Sequence, residues 1–168
     1  MSSNLTQIKL LLEELSTALK HRKLFLSTAE SCTGGGLSYY LTSLAGCSEW
    51  FERGFITYSN NAKIEMLKVK ASTLEHYGAV SRETAQEMAE GALAHSAADI
   101  AIAITGIAGP DGGTKEKPVG TVYLGLASKQ MASQTELLTL TGDRKIIREL
   151  TIIRALKKLL ETVMMTQT

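Results

Sequence analysis

A serine and a cysteine lie side by side at the start of a glycine-rich turn. Ser31 and Cys32 lie in the segment Thr-Ala-Glu-Ser-Cys-Thr-Gly-Gly-Gly at 28–36, a predicted polar turn that comes between a predicted strand and a predicted helix. Main-chain N–H groups at a helix start are unpaired and stabilise negative charge, so a hydroxyl or thiol there is placed to attack a carbonyl carbon. The same residue types are typical of a helix cap followed by a turn, and spacing alone leaves both interpretations open. The GxSxG elbow of ordinary α/β-hydrolases is absent.

A serine nucleophile needs a base, and the candidates are Lys63 and the three histidines. His21, His76 and His95 occupy predicted helices or helix ends, and none lies in a glycine-rich loop, so a Ser-His-Asp triad has poor support, although His76 stays open. Lys63 follows a predicted strand in the segment Tyr-Ser-Asn-Asn-Ala-Lys. A lysine can accept a proton when burial lowers its pKa. The alternative is an ordinary exposed lysine on a short helix.

The third polar segment is the glycine- and proline-rich stretch 105–118. It matches neither GxGxxG nor GxxxxGK[ST], which excludes the usual dinucleotide and P-loop sites. Its glycine N–H groups suit an anion, and a long hairpin-type loop explains it equally well. All three polar segments follow predicted strands, which is where open α/β sheets bind ligands.

The elements that must position these segments follow from hydrophobic periodicity. Helices are predicted at 4–20, 37–44 and 62–69, from an N-cap at Ser81, and at 143–164; strands are predicted at 23–27, 50–59, 99–105, 121–127 and 135–141. This order predicts a single three-layer α/β/α domain over residues 1–168. The short connection between the last strands makes them antiparallel, so the expected sheet is mixed and mostly parallel.

Composition excludes several other classes of protein. The chain has 168 residues, of which 44% are apolar and 21% charged, and its net charge is +1. No global basic field indicates nucleic-acid binding, and no apolar run is long enough to span a membrane. No signal-peptide core is present at the start, so we expect a cytoplasmic protein. Two cysteines without a CxxC or Cys/His set predict neither a disulfide framework nor a zinc site, and we expect no metal and no cofactor.

Several motifs occur in a fixed order along nearly the whole chain. They are Ala-Glu-Ser-Cys-Thr-Gly-Gly at 29–35, Gly-x-x-x-Tyr-Ser-Asn-x-x-Lys at 54–63, His-x-Gly-Ala-Val-Ser at 76–81, Ile-Thr-Gly-Ile-Ala-Gly-Pro-x-Gly-Gly at 104–113, Glu-Lys-Pro-Val-Gly-Thr at 116–121 and Gly-Asp-Arg at 142–144. Together they resemble the C-terminal domain of the competence-damage-inducible CinA proteins. The resemblance implies a three-layer α/β/α fold with a mixed sheet. It also implies hydrolysis of nicotinamide mononucleotide to nicotinate mononucleotide and ammonia. The chain is expected to be the stand-alone form of this domain.

The resemblance also implies roles for individual residues. Ser31 is the expected nucleophile, Lys63 the general base, and Tyr58 orients or assists the lysine. The expected substrate-binding residues are Cys32, Thr33, Gly34, Gly35, Ser48, Thr105, Gly106, Gly109, Arg144 and Arg148. Within this set the arginines are candidates for the substrate phosphate, the N–H groups near 32–35 for the oxyanion, and Ser48 is a reserve nucleophile. Nicotinamide mononucleotide is the expected partner, with no nucleic acid and no membrane, and a homo-oligomer is one option.

Two alternative hypotheses remain from the sequence. In the first, Cys32 is the nucleophile, as in the cysteine-dependent amidohydrolases that act on nicotinamide. In the second, the domain binds a nucleotide and turns nothing over.

Overall fold

The computed structural model describes residues 3–166, and within them the chain forms a single mixed sheet between helices. The helices are α1 (Ser3–Arg22), α2 (Gly36–Thr42), α3 (Asn60–Leu67), α4 (Ala71–Tyr77), α5 (Arg82–Ala94) and α6 (Arg144–Met165). The strands are β1 (Leu26–Glu30), β2 (Phe51–Ile56), β3 (Ile100–Gly106), β4 (Thr121–Ser128) and β5 (Gln134–Thr139). A short 3₁₀ turn, Cys47–Glu49, precedes β2.

The strands lie in the order β2-β1-β3-β4-β5. β1 pairs in parallel with both β2 and β3, so that Glu30 lies opposite Ile56 on one side and Ile104 on the other. β4 runs antiparallel to β3, and β5 antiparallel to β4. Four of the five strands therefore point the same way, which confirms the mixed, mostly parallel sheet. The carboxyl ends of β1, β2 and β3 meet at one edge, where a ligand site is expected.

The two faces of the sheet carry side chains of different size, because successive residues of a strand point to opposite faces. On β3, Ile100, Ile102 and Ile104 pack with the apolar residues of α1, α2 and α6. Ala101 and Ala103 pack instead with residues of α3 and α5. Helices thus cover both faces, and the three-layer arrangement is confirmed.

Small residues bring α5 very close to the alanine face. A Cβ atom added to Gly125 of β4 would lie 2.0 Å from the main-chain oxygen of Ala85 in α5. A Cβ atom on Gly91 of α5 would lie 2.0 Å from the main-chain oxygen of Leu67. Only glycine allows these approaches. The loop before α5 then lies at the end of β3, where Thr105 donates a hydrogen bond to Ala79.

The two longest helices, α1 and α6, pack against each other over the isoleucine face. Leu12 and Leu15 of α1 and Leu156 and Leu159 of α6 are buried there. Both helices interrupt their apolar residues with charged ones, as amphipathic helices do. Among the described helices, none combines the length and the apolar character needed to cross a bilayer.

The structure corrects the predicted position of the first strand. It runs from Leu26 to Glu30 rather than over 23–27, so the glycine-rich turn begins at Ser31 and not at Thr28. The prediction was wrong because Thr28 and Glu30 are polar, yet both are fully buried. Their side chains are satisfied by hydrogen bonds to residues of α2. Helix α4, over Ala71–Tyr77, was not among the helices whose bounds were predicted, although His76 was expected in a helix or at a helix end.

Candidate active site

Three chain segments meet at the carboxyl edge of the parallel strands. Ser31 directly follows β1, Tyr58 lies two residues after β2, and Thr105 is near the end of β3. They surround a cavity of about 270 Å³, which we call the Ser31 pocket. Its lining consists of Ser31, Cys32, Tyr58, Lys63, Ala79, Val80, Thr105, Gly106, Ile107, Ala108, Gly109, Asp111, Gly112 and Arg144.

The side chains of Ser31 and Lys63 form a buried pair. The Nζ atom of Lys63 lies 3.0 Å from the Oγ atom of Ser31. Lys63 is only 1% exposed and Ser31 8%. The same Nζ donates to the main-chain oxygens of Thr57, at 2.8 Å, and Tyr58, at 3.2 Å. The amine therefore has three oxygen neighbours, and one of them is the predicted nucleophile.

Helix α3 explains how a lysine comes to point into the protein. Ser59 is the N-cap of α3, and its side chain accepts a hydrogen bond from the N–H of Ala62. Lys63 lies one turn into the helix, and helical side chains lean toward the helix N-terminus. That direction carries its amine back toward the end of β2, where the oxygens of Thr57 and Tyr58 lie.

Burial shifts the pKa values of Lys63 and Cys32, which both line the pocket, in opposite directions. Loss of hydration lowers the pKa of the Lys63 ammonium to about 8, because burial penalises its charged form. The same effect raises the pKa of the Cys32 thiol to about 11, because there the charged form is the thiolate. Near neutral pH, a larger fraction of Lys63 is therefore neutral than at its ordinary pKa, while Cys32 stays protonated.

The glycine turn presents main-chain N–H groups beside the Ser31 hydroxyl. Gly34 and Gly35 have φ angles of +57° and +87°, a region that favours glycine. The N–H of Gly34 donates to the main-chain oxygen of Ser31. Within residues 3–166, neither the N–H of Cys32 nor that of Thr33 donates to an oxygen. Of these two residues, Cys32 lines the pocket, and its N–H lies against its own thiol.

The loop after β3 forms the opposite wall. Thr105 uses its hydroxyl to donate to the main-chain oxygen of Ala79 at 2.7 Å, which fixes the loop before α5 against the sheet. Gly106 leaves no room for a side chain, because an added Cβ would lie 2.6 Å from Val122. Gly109 has a φ of +77°. These residues shape the wall of the pocket.

The two arginines predicted to bind phosphate lie in different places. Arg144 lines the Ser31 pocket and donates to the main-chain oxygen of Gly109 at 2.8 Å. Arg148 donates to the main-chain oxygen of Thr33 at 2.7 Å, from the other side of the glycine turn. Its Nε atom is buried and has no hydrogen-bond partner among the described residues.

Arg148 belongs to a second depression, which we call the α2–α6 cleft. This cleft has a volume of about 350 Å³. It is lined by Gly34, Gly35, Gly36, Tyr39, Tyr40, Lys145, Arg148, Glu149 and Ile152. Two predicted substrate residues, Gly34 and Gly35, thus face this cleft rather than the Ser31 pocket.

The structure does not bring Ser48 or His76 to the pocket. Ser48 lies in the 3₁₀ turn before β2, at the opposite edge of the sheet from Ser31. Ser48 is exposed. It precedes β2, whereas Lys63, the base that a reserve nucleophile would need, follows the other end of that strand. The Nδ1 atom of His76 contacts the main-chain oxygen of Ser72 within α4, and the side chain faces solvent. Neither residue is part of the pocket lining.

Thr57 and Lys117 shape the site but were not predicted from the sequence. The main-chain oxygen of Thr57 contacts the amine, and a main-chain acceptor has no signature in residue type. Tyr58, which was predicted to orient or assist the lysine, contacts the amine through its main-chain oxygen. The side chain of Tyr58 is 62% exposed, so its contact with the lysine is through the backbone. Lys117 donates to the oxygens of Tyr77 and Val80 and so joins two loops of the pocket wall. Within the described residues, no group of three or more His, Cys, Asp or Glu side chains is placed to ligate a metal ion.

Comparison with known proteins assigns the chain to a family. The family model of the CinA C-terminal domain matches residues 8–163. A relative from Enterobacter agglomerans named nicotinamide-nucleotide amidohydrolase PncC is 51% identical over 135 residues, which are 80% of this chain and 82% of that protein. The relative of the same name from Escherichia coli strain K12 is 47% identical over 154 residues, which are 92% of this chain and 93% of that one.

Solved structures extend the similarity to the fold. The competence/damage inducible protein CihA from Agrobacterium tumefaciens is 44% identical and superposes with a TM-score of 0.90, over 92% of this chain and 94% of that chain. The competence damage-inducible protein A from Klebsiella pneumoniae is 37% identical with a TM-score of 0.91, over 96% and 99% of the two chains. The matched region contains every segment that lines the Ser31 pocket.

Proposed function

The chain belongs to the CinA C-terminal domain family, and from this premise we propose that it hydrolyses the carboxamide of nicotinamide mononucleotide. The products are nicotinate mononucleotide and ammonia. Relatives that match most of the chain are named for this class of reaction. The observation that carries the mechanism is the 3.0 Å contact between the Lys63 amine and the Ser31 hydroxyl in a buried pocket.

The neighbours of the amine decide which way its lone pair points. A neutral lysine has two N–H donors and one lone pair. The oxygens of Thr57 and Tyr58 accept from the two N–H groups, because a carbonyl oxygen can only accept. The lone pair is left for the Ser31 hydroxyl proton. This arrangement lets the amine act as a general base without moving.

The lowered pKa makes that neutral amine abundant enough to use. At pH 7, a group with a pKa of about 8 is neutral in about one molecule in ten, whereas at the ordinary value of 10.5 it would be neutral in about one in three thousand. The gain in active enzyme is therefore more than two orders of magnitude.

The reaction then proceeds in two halves. Ser31 Oγ bonds to the carboxamide carbon while its proton passes to Lys63 Nζ, and the carboxamide oxygen becomes an oxyanion beside the N–H of Cys32. The resulting ammonium returns the proton to the amide nitrogen, the C–N bond breaks, and ammonia leaves an acyl-enzyme. Water attacks the ester carbon, Lys63 takes one proton from the water, and that proton returns to Ser31 Oγ as the ester bond breaks. The product leaves as the carboxylic acid, which loses its remaining proton to solvent to give the carboxylate.

Arg144 is the arginine placed to bind the substrate phosphate. It lines the Ser31 pocket, and a guanidinium has five N–H donors, of which one contacts Gly109. A guanidinium also suits the geometry of a phosphate. Arg148 lies on the far side of the glycine turn, so its role in this proposal is to support the turn through Thr33.

The cysteine alternative is disfavoured by the chemistry of the pocket. The thiolate is the reactive form of cysteine, and burial raises the pKa of Cys32 to about 11. The thiol is therefore almost fully protonated at neutral pH, whereas the adjacent Ser31 is paired with a base.

The direct test of this proposal is ammonia release from nicotinamide mononucleotide by the purified protein. Trapping with hydroxylamine then distinguishes an acyl-enzyme from direct attack by water, because an acyl-serine yields a hydroxamate of the substrate acid. Ammonia release with hydroxamate formation that both depend on Ser31 supports the mechanism. The absence of turnover supports the nucleotide-binding alternative instead.

A further inference from the structure

Glu30 is the buried acid next to the nucleophile, and the reaction described above does not use it. We propose that Glu30 is a positioning residue that fixes both halves of the Ser31–Lys63 pair, the turn through its carboxylate and the lysine through its main chain. The inference rests on the proposed function, since its readout is the rate of that reaction.

The carboxylate substitutes for a missing helix cap. Glu30 is 0% exposed, and its Oε2 accepts from the N–H of Leu37 at 3.0 Å. Its Oε1 accepts from the N–H of Ser38 at 2.8 Å and from the Ser38 hydroxyl at 2.6 Å. Helices usually receive such bonds from the side chain of the N-cap residue, but here the N-cap is Gly35, which has none. The acceptor therefore comes from five residues upstream.

This contact closes the glycine turn into a fixed loop. The chain leaves β1 at Glu30, passes through Ser31 and the glycines, and returns to the Glu30 carboxylate at Leu37 and Ser38. The acid accepts from the first N–H groups of α2, and Cys32, which lies inside the closed loop, has an N–H with no oxygen acceptor among the described residues. A change in the carboxylate would move the hydroxyl and the oxyanion donor together.

A glycine in β2 leaves room for the hydrogen bonds among Glu30, Ser38 and Thr28. The Ser38 hydroxyl also lies 2.8 Å from the Thr28 hydroxyl. A Cβ atom on Gly54 of β2 would lie 2.6 Å from Ser38 Oγ and 2.9 Å from Thr28 Oγ1. The neighbouring strand therefore has glycine where the polar network needs room.

The main chain of Glu30 links the same residue to the base. Its carbonyl oxygen accepts from the N–H of Thr57 at 2.8 Å. The oxygen of Thr57 in turn accepts from Lys63 Nζ at 2.8 Å. Glu30 is thus joined to Ser31 by a peptide bond and to Lys63 through two successive hydrogen bonds, so its position sets the distance between Ser31 and Lys63.

The role proposed for Glu30 is geometric, so it predicts a loss of rate without a change in the titration of the base. The lowered pKa of Lys63 comes from burial of the amine, and only Cys32 adds an opposing effect. Removing the Glu30 charge should therefore leave the pH midpoint of kcat/KM in place. A misplaced nucleophile is expected to lower kcat much more than it changes KM.

The experiment compares Glu30→Gln and Glu30→Asp with the matched control Ser38→Ala, using ammonia release from nicotinamide mononucleotide. Glutamine keeps one acceptor oxygen but turns an NH₂ toward an N–H group of α2. Aspartate keeps the charge but is one methylene too short to reach both N–H groups. Ser38→Ala removes one hydroxyl from the network and leaves both main-chain bonds to Glu30 intact.

We expect kcat to fall about 10- to 100-fold in both Glu30 variants, with KM within about threefold and an unchanged pH midpoint. Ser38→Ala should stay within about threefold of wild type in kcat, even where urea titration shows it to be destabilised. If Glu30→Gln does not fold, Glu30→Asp alone decides the matter. Wild-type kcat in a folded Glu30 variant, a shifted midpoint, or an equal loss in Ser38→Ala would overturn the inference. An inactive wild-type protein would instead overturn the proposed function, and this inference with it.

Discussion

The Ser31 pocket and the α2–α6 cleft lie on opposite sides of the same glycine turn. Each is lined by glycines and by one arginine of α6, and the cleft is the larger, at about 350 Å³ against about 270 Å³. Only the pocket contains a hydroxyl in contact with a buried amine. The cleft has an exposed lysine, Lys145, whose side chain is 78% exposed. The comparison teaches that a buried amine distinguishes the proposed reacting site, whereas positive charge and cleft size do not.

The comparison also separates two residues that a sequence would group together. Arg144 and Arg148 are one helical turn apart on α6, yet they donate to Gly109 and to Thr33 on opposite sides of the turn. The amino-terminal end of α6 therefore extends across the glycine turn and places one arginine on each side of it.

The largest expected effect is that of removing the nucleophile. Ser31→Ala should lower kcat by about a thousandfold or more, because the covalent route is lost while the fold is not. Mass spectrometry after hydroxylamine trapping should show no hydroxamate. Near-normal turnover by a folded variant would remove the pocket from the mechanism and erase its difference from the cleft.

Loss of the base should be nearly as severe. Lys63→Arg and Lys63→Met should each lower kcat by about 10²- to 10⁴-fold, since a guanidinium cannot give up its proton in this pH range. In the wild type, kcat/KM should rise with pH to a plateau above about 8, as the neutral amine appears. An active Lys63→Arg enzyme would contradict the assignment of the base.

The same burial should be visible in stability, where Lys145 of the cleft provides the control. Lys63 has its pKa lowered to about 8 in the folded chain, from 10.5. Between these two pH values the unfolded chain binds a proton that the folded chain does not, so the free energy of unfolding should rise with pH, by up to about 3 kcal/mol. Below pH 8 this contribution no longer changes. Urea titrations should show the rise in wild type and in Lys145→Met, and its loss in Lys63→Met.

The sequence predicted the parts of the site that depend on strand order and residue type. Ser31 and Lys63 each follow a strand of one parallel set, so their meeting at one edge could be expected. The first strand was misplaced because burial of Glu30 depends on donors in α2 that come later in the chain. The side to which Arg148 points depends on how α6 packs across the sheet, which periodicity does not reveal. Ser48 precedes the strand predicted at 50–59, so strand order already placed it at the amino end of that strand, although its 3₁₀ turn was not predicted.

The two arginines should differ in the kind of loss as well as its size. Arg144→Ala should raise KM about tenfold with a smaller change in kcat, because a phosphate contact is the same in the ground and transition states. Arg148→Ala should instead lower kcat and stability, because Thr33 loses its partner and the turn loosens. Steady-state kinetics with nicotinamide mononucleotide and with free nicotinamide would measure both. If Arg148→Ala raised KM and Arg144→Ala did not, the substrate phosphate would lie in the α2–α6 cleft, and the cleft would be part of the substrate site.

The smallest expected effect is that of Cys32, which lines the Ser31 pocket next to the proposed nucleophile. Cys32→Ala should leave kcat/KM within about threefold of wild type, because a thiol with a pKa of about 11 is almost never ionised at pH 8. Alanine is the informative substitution, since a serine at this position would place a second hydroxyl near the amine. Alkylation by iodoacetamide should be slow at pH 7.5 and accelerate toward pH 11 as the thiolate forms. Rapid alkylation at neutral pH, together with an inactive Cys32→Ala and an active Ser31→Ala, would make the thiol the nucleophile and move the reacting atom one residue along the turn.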